Sequence, residues 1–516
     1  MSSSRLLKST GVVGLMTLIS RVLGFVRDIL FAAFFGAGPV MDVFLLALKI
    51  PNFGRRVFAE GALSQAFVPV FTEVKANGQP EDVRDLFNAV AGTLGGVLAM
   101  ITLVGCLAAP LLVWLFAPGI AADASRHELA SDLLRWTFPY LMLISLTALA
   151  GAVLNTYGRF AVPAGTPIIL NLCLIGAAFV DSESVRVLAI AVFVAGVVQL
   201  GFQLPWLARI GLWPRPRWGG RDLRVRRVVR LMGPIVFGSS VAQVSLLLDT
   251  IIASLLFAGS LSWLYFADRL MEFPLGIFSL AVATVILPSL SAEHVAQSPQ
   301  RFSATIDWAL RVLLLLAVPA TAGLLLLSGP LVSTLFQHGQ FGARDLDMTR
   351  WALMAYAFAF LGISLVKVLV PAFYARQQTM VPVRYGVIAL SAGMALSLAL
   401  VGLCLWKDLP APHVALAAAT SASSLFNAVL LLRRLRRDGI YLPVPGWGAY
   451  LLKLATAVMV MSVVVIWLSG PLSAWSAADL SDRVLRLLGM IVAAILSYFG
   501  VLALLGMRPS HLRMSA

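Results

Sequence analysis

Between Leu18 and Glu73 an almost wholly apolar stretch carries Arg21, Arg27, Asp28, Asp42, Lys49, Arg55, Arg56 and Glu60. An Arg, Lys or Asp at mid-bilayer costs about 2.5–3.5 kcal/mol on an insertion scale, so several facing lipid would sum to roughly 20 kcal/mol. Such side chains must face one another or a water-filled cavity. A second charged group, Asp268, Arg269 and Glu272, lies between Tyr265 and Pro274. Together six bases (Arg21, Arg27, Lys49, Arg55, Arg56, Arg269) stand against five acids (Asp28, Asp42, Glu60, Asp268, Glu272). The planar fork of arginine suits a phosphate, so these residues point to capture of an anionic group. The alternative is a structural network between helices. Arg56 with Glu60 at i, i+4 and Arg269 with Glu272 at i, i+3 are spaced for local ion pairs, while Arg21 has only Asp28 seven residues on.

A membrane frame must position them. The chain is 60% hydrophobic and 12% charged with a mean hydropathy of +0.91, against about 25% charged residues in a soluble domain. The expected class is an all-α polytopic membrane protein of about fourteen transmembrane helices. At about 20 apolar residues per span, these fall at 10–36, 40–72, 87–117, 130–156, 163–181, 186–208, 229–257, 260–291, 303–328, 350–374, 381–405, 411–432, 447–470 and 484–506. The net charge of +15 sits in short loops, Arg209 to Arg230 and Arg433 to Arg437 among them. That is the positive-inside pattern, so no nucleic-acid partner is expected and both termini are expected to be cytoplasmic. Cys106, Cys173 and Cys404 lie unpaired in apolar spans and read as core residues. Arg21, Arg27 and Asp28 interrupt the first apolar run, so it reads as a retained helix and not a cleaved signal.

The chain repeats. Ile144-Ser145-Leu146 recurs as Ile363-Ser364-Leu365, and Val162-Pro163 recurs as Val381-Pro382 at the same separation. Six spans (1–220) therefore repeat as six spans (221–440) in the same orientation, with helices thirteen and fourteen (441–516) added. Parallel repeats around a central cavity are a transporter architecture. At about 1.5 Å per residue, Arg21 lies about 16 Å into helix one, and Arg55 is similarly deep in helix two. Gly24, Pro51 and Gly54 are the places where these helices are expected to bend. Since one chain carries a whole pathway, a monomer is expected. The histidines are scattered and no P-loop, HExxH or GxSxG is present, so the chain is expected not to be an enzyme, and no metal or cofactor is expected.

The stretch Ser20-Arg21-Val22-Leu23-Gly24-Phe25-Val26-Arg27-Asp28, with Lys49-Ile50-Pro51-Asn52 and Arg55-Arg56-Val57-Phe58-Ala59-Glu60-Gly61, resembles the MurJ/MviN family. So do Ala267-Asp268-Arg269-Leu270-Met271-Glu272-Phe273-Pro274 and Leu335-Phe336-Gln337-His338-Gly339. The resemblance runs over essentially the whole chain and implies a lipid II flippase of the MOP exporter superfamily. Lipid II is the undecaprenyl-pyrophosphate-linked disaccharide pentapeptide used in peptidoglycan synthesis. The resemblance further implies the bacterial cytoplasmic (inner) membrane and cell-wall synthesis proteins as partners. By position it implies that Arg21, Arg27, Arg55 and Arg269 bind pyrophosphate, that Asp42 and Glu60 serve gating, and that helices thirteen and fourteen form a groove for the lipid tail. Asp28, Lys49, Arg56, Asp268 and Glu272 complete the cavity charge.

Some family members look to couple to sodium through acids of the seventh and eleventh helices. Here Asp249 is the candidate cation site in the seventh, or equally a paired structural acid, and Gln377-Gln378 stands where the second acid is expected. Sodium coupling is therefore doubtful; protons or the membrane potential are the other sources. Two rival readings are a related exporter of another lipid-linked oligosaccharide or of drugs, and a non-transporting scaffold for cell-wall enzymes. A cation antiporter would carry a prevailing excess of acids in its cavity, and this sequence has slightly more bases.

Overall fold

The computed structural model describes residues 3–56, 63–295 and 298–507. Their regular structure is helical, in two compact units, Met1–Ser262 and Trp263–Ala516.

The first unit holds α1 (Ser3–Phe35), α2 (Pro39–Arg55), α3 (Ser64–Asn77), α4 (Pro80–Leu107), α5 (Ala109–Phe116), α6 (Pro118–Ala121), α7 (Ala124–Thr137), α8 (Pro139–Thr156), α9 (Ala161–Val180), α10 (Val185–Arg209) and α11 (Leu223–Ser254). Two expected spans, the third and the fourth, are helix pairs rather than single rods. Pro110 and Pro139 lack an N–H and sit in the first turns of α5 and α8, where no intrahelical partner is needed. Each therefore starts a new helix inside an apolar run. The second span holds α2 and α3, with residues 57–62 between them outside those described. Starts are set by side-chain caps: Asp123 accepts from the Ser125 and Arg126 N–H groups, Ser184 from Arg186 and Asp222 from Arg224. Apolar packing of Phe67 and Phe71 on α3, Leu86 and Val90 on α4, and Leu149 and Val153 on α8 forms one core. The α11 helix packs on α3, α4, α5 and α6. A side chain at Gly119 would meet the Ser254 carbonyl oxygen at 1.8 Å, so only glycine fits where the end of α11 approaches.

The next helix, α12 (Ser260–Val295), leads into the second unit, which continues with α13 (Pro299–Leu326), α14 (Ser328–Leu335), α15 (Ala343–Ala375), α16 (Met380–Trp406), α17 (His413–Arg437), α18 (Trp447–Ser469), α19 (Leu472–Ala477) and α20 (Leu480–Leu504). Here α18 and α20 pair and pack on α13 through Leu315, Met461, Met490 and Tyr498. Their other faces leave large apolar side chains uncovered, among them Leu452, Val463, Trp467, Leu485 and Leu496. Gln377-Gln378 sits in the turn between α15 and α16, with Gln377 at φ 59°, rather than on the helix. Ten helical segments among the described residues are long and apolar enough to cross a membrane.

A polar knot fixes the segment joining α17 to α18. The buried Asp307 carboxylate on α13 accepts from the Tyr441 hydroxyl (2.8 Å), the Val444 N–H (3.1 Å), the Trp447 indole N–H (2.7 Å) and the Arg311 guanidinium (2.7 Å). Removing a partner from a buried ion pair costs about 3–5 kcal/mol, whereas an exposed i, i+4 pair is worth about 0.3–0.5 kcal/mol. Asp307→Ala is therefore expected to lower the thermal unfolding midpoint clearly. Arg486→Ala, which breaks the exposed Arg486–Asp482 pair, is expected to leave it within a degree or two. Unfolding scans in detergent read both.

Candidate functional site

The α1 helix brings two arginines into contrasting settings. Arg21 is exposed and makes no ion pair or hydrogen bond among the described residues. Arg27 is buried and donates from Nε and Nη2 to the same oxygen, Oδ1 of the buried Asp28, at 3.0 and 2.7 Å. Its Nη1 donates to Oδ1 of Asn171 on α9 at 3.0 Å, and its guanidinium lies over the Phe31 ring. The Asn171 amide in turn donates to the Ser20 carbonyl at 2.9 Å. Asn171 thus clamps the turn of α1 that carries Arg21 and fixes Arg27 at once. Gly24 lies between these two grips. A Cβ there would fall 3.6 Å from the Asn171 amide nitrogen, an ordinary van der Waals distance, and α1 continues as helix through this position. Asp28 therefore pairs with its neighbour Arg27, not with Arg21 seven residues back.

The α2 helix presents Asp42, Lys49 and Arg55 along its length. Asp42 is buried, and its carboxylate accepts from the Gly259 N–H (2.6 Å), the Ser262 N–H (2.8 Å) and the Ser262 hydroxyl (2.6 Å). It ties α2 to the turn between α11 and α12, where Gly259 has φ +99°. Lys49 donates to the Thr250 hydroxyl at 3.3 Å and acts electrostatically on both Asp42 and the half-buried Asp249. Arg55 donates to the Asn52 side chain at 3.0 Å and lines a hollow of about 370 Å³ among α8, α9 and α10. Gly54 beside it packs on Leu141; a Cβ would fall 2.8 Å from that side chain. Arg56 is exposed at the end of α2, and Glu60 lies outside the described residues.

In the second unit Arg269 donates to Glu272 at 2.9 Å, the local pair its spacing predicts, and stacks over Tyr265 at 5.0 Å. Both partners remain substantially exposed, at 35% and 43% of side-chain area, so the pair is open to exchange. Asp268 is half-buried on the same helix.

The sequence reading missed the neutral partners: Asn171, Thr250, Ser262, and the pair Gln199 and Gln203, both 1% exposed on α10. A signal was present. Each is a hydrogen-bonding side chain inside an apolar run, and such residues in a spanning helix face the protein interior.

Residues 31–485 match the family described as "Lipid II flippase MurJ". The chain belongs to that family. It is 44% identical over 522 residues to the "Probable lipid II flippase MurJ" of Vibrio cholerae serotype O1, covering 99% of this chain and 98% of the relative. It is 38% identical over 510 residues to the "Lipid II flippase MurJ" of Burkholderia cenocepacia, covering 97% of each. A solved structure described as "Lipid II flippase MurJ, inward closed conformation" shares the fold at a TM-score of 0.78 and 24% identity, over 95% of this chain and 98% of that one. An inward-facing multidrug resistance MATE family transporter of the MOP superfamily matches at a TM-score of 0.62 and 13% identity, over 83% of this chain and 98% of that one.

The Arg27–Asp28–Asn171 contacts generate a prediction for this MurJ-family chain. Asp28→Ala is expected to destabilise by about 3–5 kcal/mol, since it strips a buried guanidinium of its carboxylate. Adding Arg27→Ala should recover part of that loss, because the uncompensated charge goes with it. A double-mutant cycle on unfolding in detergent measures the coupling; additive losses would show that the two side chains do not support each other.

Proposed function

We propose that the protein is a lipid II flippase of the bacterial cytoplasmic membrane: a multi-pass transporter, not an enzyme, that moves the lipid-linked peptidoglycan precursor from the inner to the outer leaflet. The observation that carries this reading is similarity to curated flippases over nearly the full length of both chains, at 44% identity to one of them. The chemistry agrees with it. A pyrophosphate needs cations within an otherwise apolar frame, and Arg21, Arg27, Arg55 and Arg269 supply them. A polyprenyl tail needs an uncovered apolar face, and α18 with α20 offers one.

In this reading the chain crosses the membrane fourteen times, with both termini cytoplasmic, as two six-helix repeats and an added pair. It works as a monomer by alternating access, beside the enzymes of cell-wall synthesis. The four arginines draw the pyrophosphate in. Asp28, Asp42, Lys49, Arg56, Glu60, Asp268 and Glu272 balance that charge and hold or release the helices as the substrate passes. Asp249, close to Lys49, is the carboxylate through which a coupling cation, H+ or Na+, acts. A unit charge moving through 100 mV is worth about 2.3 kcal/mol, enough to bias the cycle about fifty-fold.

Arg21→Glu, Arg55→Glu and Arg269→Glu are each expected to lower the rate of lipid II flipping more than ten-fold. The readout is purified protein in liposomes, with a fluorescent lipid II quenched from outside. Flipping at the unaltered rate in all three variants would remove these arginines from the site, and no flipping by the unaltered protein would overturn the reading.

A further inference from the structure

The hollow beside Arg55 is built for more than an anion. Its volume, about 370 Å³, falls in the range of small-ligand sites, about 300–1,000 Å³, and far exceeds the share of one water, about 30 Å³. Arg55 is its sole charged lining residue among the described residues. The rest of its polar wall is neutral: Thr147 on α8, Asn155 at its end, Thr166 on α9, and Gln199 and Gln203 one turn apart on α10. So many hydrogen-bonding side chains at one place in apolar helices are costly to keep unless they have partners.

The two glutamines show which partners are lacking. The Gln199 amide N–H donates to the Thr166 carbonyl at 3.0 Å. That of Gln203 donates to the Thr166 hydroxyl at 3.1 Å, and this hydroxyl donates onward to the Val162 carbonyl at 3.2 Å. The chain of donors fixes the orientation of both amides. Their carbonyl oxygens are buried without a hydrogen-bond partner among the described residues. A buried acceptor left unmet is costly to the fold, so a donor that reaches these oxygens supplies a bond the described residues do not.

We propose that this hollow is a subsite for the uncharged, hydroxyl- and amide-bearing sugar portion of the substrate, with Arg55 at its edge taking the attached phosphate. The inference rests on the flippase reading and adds to it where the sugar goes and which neutral residues select it. A group that follows a pyrophosphate and brings several O–H and N–H donors matches a wall of one cation and otherwise neutral acceptors. A bare anion would leave those acceptors unmet.

The test compares two probes on the full-length protein: lipid II, and undecaprenyl pyrophosphate, which has the same tail and pyrophosphate but no sugar. Two variants are used, Ala148→Trp, which fills the hollow from α8, and Gln199→Leu with Gln203→Leu, which removes both acceptors. The unaltered protein is expected to bind lipid II about ten-fold more tightly than the sugar-free lipid. Both variants should lose that preference while holding the sugar-free lipid within about two-fold, which also shows that they are folded. Preference retained in both variants overturns the subsite, as does equal weakening toward both lipids. If the unaltered protein binds both lipids equally, the subsite fails and the flippase reading stands. If it binds neither, both fail.

Discussion

A charge inside an apolar helix bundle must be answered within a few ångströms, and the described structure does this in three ways. Arg27 is answered by a carboxylate, Asp28, and an amide, Asn171. Asp42 is answered by N–H and O–H groups of Gly259 and Ser262. Arg483, buried at 8% exposure, is answered by backbone carbonyls alone, those of Ser333, Gln337, Ser476 and Ala478. These oxygens lie at or just beyond the ends of α14 and α19, where carbonyls lack intrahelical partners and the helix dipole favours a cation. Arginine suits all of these roles because it stays charged and spreads its donors over a rigid fork.

This separates the charged side chains by what they can do. Those locked from several sides outside the proposed site, Asp307 and Arg483, hold segments together and are poorly placed to change partners. Arg21 and Arg269 retain access: one is exposed, the other sits in a substantially exposed i, i+3 pair. Exposed pairs of that spacing contribute little stability, so exchanging Glu272 for a phosphate disturbs the fold very little. Sequence position alone could not make the distinction, since Arg21 and Arg27 lie on the same helix in the same motif.

Much of the frame was legible because the bilayer imposes a length and a composition. The expected spans fall on helices among the described residues, ten of them long and apolar enough to cross a membrane. What escaped notice was finer and has a physical reason. Pro110 and Pro139 begin helices within apolar runs, and hydropathy is blind to a missing N–H. The Arg269–Glu272 pair was legible since i, i+3 residues share a helix face. The Arg27–Asp28 pair was not, because adjacent residues on a helix do not face each other. It forms because both side chains are buried and Asn171, from a helix far away in sequence, holds the guanidinium at the carboxylate. Periodicity reports which face of a helix is buried, not what meets it there.

An internal counter-ion bears on how a transporter of anions turns over. Two opposite unit charges 4 Å apart attract by about 4 kcal/mol at an effective dielectric of 20. A pyrophosphate held by several uncompensated arginines would gain that repeatedly, and each gain would have to be reversed for the lipid to leave. Asp28 beside Arg27 and Glu272 beside Arg269 change the reference state. In the proposed reading a phosphate would replace a carboxylate already in contact with the guanidinium, and binding would reflect only the difference between the two. Each acid also waits at its arginine when the phosphate departs, so the empty site does not leave its cation unanswered. Acids within an anion site are thus part of how it lets go. The proposed sugar subsite would divide the labour in the same way: selectivity drawn from neutral hydrogen bonds can be high without adding the charge attraction that would slow release.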